Sequence, residues 1–294
     1  MELKEYKIKE NENGLTVEEY LRKNVGVSAR KLQQITRSNG LYVNGKKSFL
    51  SKKLRYKDSL KIPNWQEKIN ITPENGVLVD ILYEDERVVV VNKPAGMLVH
   101  PTGRTESGTL INFLANRYKE ERNIQLYALH RLDRDTSGCV LFAKNLESYK
   151  ELEVDIQKNK IKRIYYAIVK GEPKDGEIII DMPIAVHKFQ KNRRVINING
   201  KPAISKYRKK NMLSHEIYML EVELLTGRTH QIRVHLAHVG LPILGDAMYG
   251  VRSPYIGRQA LHAAYIKFWN TSINDWTIVQ APIMQDMNII LEMQ

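Results

Sequence analysis

Apolar positions change period along this chain. In the first 62 residues they recur at helical spacing: Val17, Tyr20 and Leu21 share one face, and Leu32 and Ile35 another. Thr16 followed by Glu19 reads as a capping box opening a helix over 15–21, and Ser28 as the cap of a second over 28–35. Residues 40–45 read as a strand entering an Asn-Gly turn. Further on, strand-like runs dominate, at 77–83, 87–91, 139–143, 164–169, 177–181, 203–208, 216–225, 261–269 and 276–279. In the run 216–225, Tyr218, Leu220, Val222 and Leu224 oppose Glu221 and Glu223. Helical spacing returns over 108–121, 149–157 and 231–238, the last with Thr229 as a cap. Many antiparallel-type strands with few helices predict an α+β fold. The expected organisation is a small α+β domain (1–62), a Pro- and Asn-containing linker (63–76), and a large domain with a mixed, mainly antiparallel sheet (77–294).

Charge narrows the choice of partner. Against 33 acidic residues stand 46 Lys and Arg, a net charge of +13. Such an excess favours a polyanion, because cations that neutralise phosphates release condensed counterions. Nucleic acid is therefore the expected partner, and no basic amphipathic helix supports a membrane surface. The first residues are charged, with no apolar signal core, and the runs 88–91 and 178–180 are far too short to cross a bilayer. Cys139 is the one cysteine, which excludes an internal disulfide and a cysteine zinc site; its strand-like context predicts a small buried hydrophobe. A monomer in the reducing cytoplasm fits these features. Cations cluster after the Asn-Gly turn (Lys46, Lys47, Lys52, Lys53) and in the polar stretch Lys188, Lys191, Arg193 and Arg194.

The densest chemistry is the run His130-Arg131-Leu132-Asp133-Arg134-Asp135-Thr136-Ser137-Gly138, which leads into the buried-strand run 139–143. Alternating guanidinium and carboxylate groups at the mouth of a sheet are costly to desolvate unless they pair or do chemistry. Three further segments stand out: Val91-Asn92-Lys93-Pro94-Ala95-Gly96 with His100 after it, Arg163-Ile164-Tyr165-Tyr166-Ala167, and Thr226-Gly227-Arg228-Thr229-His230-Gln231-Ile232-Arg233 followed by 242–246. Together these resemble the RluA-type pseudouridine synthases, which isomerise uridine in folded RNA, and the match spans most of residues 80–285. The segment 258–263 also matches and is expected to support the core. The small N-terminal domain resembles an S-four-type RNA-binding module.

The resemblance implies roles. Asp133 becomes the catalytic carboxylate, attacking C6 of uracil or C1′ of ribose, or triggering loss of the C2′ proton. Arg233 becomes its electrostatic partner, Tyr165 the residue lying against the base, and Arg131 the wedge that fills the gap left by a flipped uridine. Asp135 is expected to hold the loop. Lys93, His130 and Arg228, with Lys46, Lys47, Lys52 and Lys53, become RNA contacts, and structured RNA, ribosomal or transfer, the partner. His235 and His238 share a helical face, but no acidic ligand or cysteine completes a metal site with them. No metal or cofactor is expected, since the reaction is internally balanced and no Gly-rich phosphate loop or dinucleotide fingerprint appears. Two rivals stand beside this reading: a non-catalytic RNA-binding assembly factor on the same fold, and a uracil-releasing glycosidase using Asp135 as its second carboxylate.

Overall fold

The computed structural model describes residues 3–27, 29–37, 40–63, 71–102, 105–121 and 123–292. The chain divides into two compact units, Met1–Ile69 and Asn70–Gln294. Of the stretch 63–76, residues 64–70 lie outside the described residues, as does Ser28.

The N-terminal unit holds β1 (Leu3–Lys7), α1 (Val17–Lys23), α2 (Ala29–Arg37), β2 (Tyr42–Val43), β3 (Lys46–Lys47) and β4 (Ser59–Pro63), with the strands in antiparallel order β1-β4-β2-β3. The capping box forms as expected: Glu19 N–H donates to Thr16 Oγ1 at 3.2 Å, and Thr16 N–H donates to Glu19 Oε2 at 2.9 Å. Asn44 and Gly45 both take positive φ, 51° and 77°. That backbone matches the twist of a two-residue hairpin and joins β2 to β3. Val17, Leu21, Leu32, Ile35, Leu54 and Leu60 close a core of their own. The strands β1 and β4 escape a pattern reading because their outward faces are short and charged.

The second unit contains β5 (Asp80–Glu84), β6 (Val88–Lys93), α3 (Leu110–Arg117), β7 (Tyr127–Ala128), β8 (Ser137–Ala143), α4 (Leu146–Gln157), β9 (Lys162–Lys170), β10 (Glu177–Asp181), β11 (Ile184–Val186), β12 (Arg194–Ile196), β13 (Ile204–Ser214), β14 (Ile217–Leu224), α5 (Gln231–His238), β15 (Leu261–Asn270), β16 (Asp275–Gln280) and α6 (Gln285–Leu291). Its main sheet has ten strands in the order β10-β13-β14-β9-β15-β8-β6-β5, with β16 beside β15 and β7 beside β8. All its pairings are antiparallel except β15 with β8. The expected α+β fold with a mainly antiparallel sheet is the one observed. Strands β6 and β8 are buried along their whole length, which is why they read as unbroken apolar runs. Strand β14 alternates over its second half, where Leu220, Val222 and Leu224 are buried and Glu221 and Glu223 are less so.

Boundaries moved where side chains intervene. The strand expected from residue 77 begins at Asp80, and Leu78 is 98% exposed. The helix expected from 149 starts at Leu146, because the Asn145 side chain accepts the Ser148 N–H at 2.8 Å. Thr229 does not cap α5. The helix follows His230 at φ 58°, and the Gln231 side chain folds the preceding loop back by accepting from Arg228 N–H and Thr226 Oγ1, both at 2.9 Å. Cys139 is buried, and burial pushes its thiol up to about 12, as suits a small hydrophobe.

The parallel junction is short: His262 faces Ser137 and Ala263 faces Gly138. Gly138 has φ 108°, and a Cβ there would lie 2.2 Å from the carbonyl oxygen of Ala263. Both the backbone conformation and the close approach therefore require glycine. Gly138→Ala is expected to cost about 2 kcal/mol or more, lowering the thermal midpoint by roughly 4 °C or more. Calorimetry of the variant checks this, and an unchanged midpoint would show the junction to be pliant.

Candidate active site

The loop 130–136 connects β7 to β8 and places the densest charges of the sequence beside the parallel junction. Leu132 is buried and anchors it. The loop tightens into a turn through Thr136 N–H donating to the Asp133 carbonyl at 3.1 Å. Four side chains from two other segments hold it from behind. Lys93 Nζ donates to the carbonyl of Arg134 at 2.8 Å and to those of Pro94 and Met97, each at 2.7 Å. Arg258 Nη1 donates to the Asp135 carbonyl at 3.0 Å, while its other nitrogens grip the Asp286 carboxylate. Gln259 Nε2 donates to Thr136 Oγ1 at 3.2 Å. Ser137 Oγ lies 2.9 Å from His262 Nδ1. The segment 258–263, expected to support the core, thus supports the loop directly.

With its backbone held, the loop turns Asp133 toward α5. Arg233 Nη1 donates to Asp133 Oδ2 at 3.2 Å. The same guanidinium grips Asp246 with two bonds, Nε to Oδ2 at 2.6 Å and Nη2 to Oδ1 at 2.8 Å. Asp246 also accepts the amides of Met248 and Tyr249 at 2.9 and 3.1 Å. Burial alone would raise the Asp246 carboxyl, yet the Arg233 bonds and these amides hold it below the ordinary carboxylate value. Burial alone would likewise weaken the Arg233 cation, yet Asp246 first and Asp133 second hold it above the usual arginine range. Tyr249 packs its ring 5.1 Å from the Arg233 guanidinium carbon. The Tyr249 hydroxyl accepts the Arg194 N–H at 2.6 Å and hydrogen-bonds with His230 Nδ1, 2.9 Å away. His230 Nε2 lies 3.9 Å from Asp133 Oδ2.

Asp133 and Tyr165 line two adjoining cavities. A recess of about 50 Å³ is bounded by Asp133, Tyr165, His230, Arg233, Leu224 and Leu261. It is continuous in its lining with a cavity of about 430 Å³ that Arg131, Arg163 and Arg228 also share. The larger volume falls within the roughly 300–1,000 Å³ of ordinary ligand sites. Tyr165 is fixed on β9 between Val222 of β14 and Ala263 of β15. Burial pushes its hydroxyl up to about 12, so it stays protonated at neutral pH.

The tertiary structure thus brings together Asp133, Tyr165, Arg233, Arg131 and Arg228. Lys93 is corrected. Expected at an RNA-touching loop, it is fully buried, and burial pulls its pKa down to about 7, although three carbonyl acceptors suit an ammonium's three donors. Asp135 holds its loop through its carbonyl. His130 stands in the cavity wall with Nε2 accepting the Leu141 N–H at 3.1 Å, and burial takes its pKa to about 3. Neither nitrogen of His235 is open to a metal: one meets Ser205 Oγ and the other the Met182 carbonyl, each at 3.0 Å. Lys46, Lys47, Lys52 and Lys53 are exposed on the N-terminal unit. Asp246, Tyr249 and Arg258 were not assigned these roles from sequence. Asp246 stood within a segment already singled out, and a lone acid beside glycine in an apolar run was the available signal.

Two outcomes follow from this geometry. Asp246→Asn leaves Arg233 with a neutral neighbour and free to turn, so turnover should fall roughly 10- to 100-fold, by analogy with the loss of other outer-shell partners; single-turnover kinetics with folding monitored by circular dichroism check it. Burial keeps His130 (about 3) and His262 (about 4) neutral in the fold. The unfolded chain takes up protons at these rings near pH 6.5 while the folded chain does not, so stability is lost as pH falls below that value. The slope is at most about 1.4 kcal/mol per pH unit for each ring. Melting between pH 7.5 and 4.5 should show the decline, and His262→Gln should make it shallower.

Comparison with known proteins identifies the family. Residues 87–238 match the family model for RNA pseudouridylate synthase. The chain is 35% identical to the ribosomal large subunit pseudouridine synthase D of Buchnera aphidicola subsp. Schizaphis graminum, across 86% of this chain and 85% of that one. Its identity to the Pseudomonas aeruginosa protein of the same name is 36%, across 73% of this chain and 71% of that one. Human RNA pseudouridylate synthase domain containing 1 shares the fold, with a TM-score of 0.60, 23% identity, and coverage of 74% of this chain and 90% of that one. A family model spanning half the chain, relatives matched along most of their length, and a carboxylate–guanidinium pair facing a nucleoside-sized cavity converge on one conclusion: the chain belongs to the RNA pseudouridine synthase family.

Proposed function

We propose that the chain isomerises uridines of large-subunit ribosomal RNA, with Asp133 as the catalytic carboxylate. The observation that carries this is Asp133 itself, held by Arg233 at 3.2 Å on the wall of the 430 Å³ cavity that Tyr165 shares. The relatives named above are ribosomal large subunit enzymes. In the reaction the N1–C1′ bond breaks, the C5–C1′ bond forms, and the C5 proton is exchanged for one at N1, so atoms and electrons balance without a cofactor. Arg233 stabilises the ionised Asp133 before attack and again when the carboxylate is released. Tyr165 offers a flat face to the uracil. Its protonated hydroxyl acts as donor, and can pass a C5 proton onward only by releasing its own as it receives one.

The base must leave its stack to reach this wall, at a cost of a few kcal/mol. Arg131 is exposed at the rim of both cavities and serves as the wedge that fills the vacated place. Arg228 stands at the same rim, its Nε tied to the Pro202 carbonyl at 2.9 Å. The N-terminal unit acts as an S-four-type module, with Lys46, Lys47, Lys52 and Lys53 on phosphates. The turn between β11 and β12, with Lys188, Lys191, Arg193 and an 82% exposed Phe189, acts as an RNA clamp. No helix among the described residues is long and apolar enough to cross a membrane. We place a monomeric enzyme in the cytoplasm with the ribosomal RNA.

Incubation with ribosomal RNA, followed by measurement of pseudouridine and free uracil, tests the reading. The wild type should form pseudouridine and no uracil, while Asp133→Asn should lose at least about 10³-fold in turnover, as enzymes do when a covalent or general-base group is removed. RNA binding by that variant should persist and weaken steeply with salt. Turnover by Asp133→Asn would refute the assignment, and uracil release would favour the glycosidase.

A further inference from the structure

Arg163 lies two residues before Tyr165 on β9 and takes no part in the chemistry above. It is 6% exposed, yet no carboxylate pairs with it among the described residues. Its Nη2 makes one long bond, 3.4 Å, to the Leu224 carbonyl, and its Nε has no partner. A buried guanidinium left this way is expensive, unlike Arg233, which two carboxylates neutralise. His130 adds a second open donor. Its Nε2 accepts the Leu141 amide, so the neutral ring carries its proton on Nδ1, and that atom is buried without a partner. The two groups feel each other, since the Arg163 charge helps to depress the His130 pKa after burial. Both residues line the 430 Å³ cavity, together with Arg131 and Arg228. Gly227 stands over the guanidinium, where a Cβ would come within 3.2 Å of Nη1. A side chain there would narrow the approach.

We infer that Arg163, assisted by His130 Nδ1–H, forms a phosphate subsite that holds the phosphodiester adjoining the flipped uridine. The inference rests on the proposed function and deepens it. A phosphate matches the need: it is anionic and carries several acceptor lone pairs for a guanidinium N–H and a ring N–H that have no partner among the described residues. The geometry places it beside the base recess, because the two cavities share Arg131, Asp133, Tyr165, Leu224 and Arg228. The nucleoside is then gripped at both ends, base against Tyr165 and phosphate against Arg163, which fixes the sugar between them before Asp133 acts.

The test uses an RNA hairpin containing a uridine that the wild type modifies, made with a normal phosphodiester or an uncharged methylphosphonate at the linkage 5′ or 3′ to that uridine. One of the two replacements should lower wild-type kcat/KM roughly 10- to 100-fold. Arg163→Met should lose a similar factor on unmodified RNA and respond little to the same replacement, and Arg163→Lys should recover part of the loss. If both proteins respond equally, the phosphate is not held by Arg163; if neither linkage matters to the wild type, no such subsite exists, and this arm stands even if Arg163→Met fails to fold. Should the wild type form no pseudouridine in any ribosomal RNA, the functional reading falls and the subsite with it; pseudouridine without coupling overturns the subsite alone.

Discussion

One guanidinium organises the reactive end of this protein. Arg233 reaches Asp133 with one nitrogen and Asp246 with two others, and Asp246 is itself fixed by two backbone amides. The arrangement solves a conflict. A carboxylate that is to act on a nucleoside must be ionised where water is largely excluded, and such a charge is unstable alone. A free arginine beside it would swing, or would neutralise it too completely. Tied to Asp246 from behind, Arg233 presents a fixed edge to Asp133 Oδ2, and the other carboxylate oxygen accepts no hydrogen bond among the described residues. The pair is thus a preorganised electrostatic element, built before substrate arrives.

The support for that element is mostly backbone chemistry. Lys93, Arg258, Gln259 and His262 hold the loop at Arg134, Asp135, Thr136 and Ser137, largely through carbonyls and hydroxyls. The side chains of Arg131 and Asp133 therefore remain available to the cavity. The short parallel contact between β15 and β8 belongs to the same logic. Its neighbouring strands run antiparallel, and where these two meet over only two residue pairs the loop entering β8 opens beside the sheet. Gly138 permits that meeting because its backbone lies against Ala263 closer than any side chain would allow.

Charge is used in two distinct ways. Exposed lysines and arginines form a diffuse positive surface, and such a surface attracts a polyanion in a salt-sensitive way that steers but does not discriminate. Buried cations act over one or two bonds. Lys93 stabilises a loop, Arg233 a carboxylate, and Arg163 has donors left over. Composition cannot separate these classes, since each counts as one positive charge in the sequence.

Much was legible in the chain order. Alternation gave the strand β14, strand-like runs gave β9 and β15, the capping box gave α1, and the charged run 130–138 marked where chemistry would sit. Asp133, Tyr165 and Arg233 were named from motif resemblance and do line one recess. The local side-chain bond of Asn145 moved one helix start from 149 to 146, and those of Gln231 displaced the expected Thr229 cap without moving its helix, which periodicity cannot register. Lys93 was misjudged because the resemblance put it on an RNA-touching loop, whereas three distant or turned-back carbonyls hold it buried. What the sequence by itself determined was which residues carry apolar faces and which carry reactive groups, because those properties are local. Only the tertiary structure decided that Asp246 stands behind Arg233, that Arg258 holds the loop of Asp135, and that Arg163 lines a cavity with no carboxylate paired to it among the described residues. Those facts depend on contacts between residues far apart in the chain, and such contacts arise from packing.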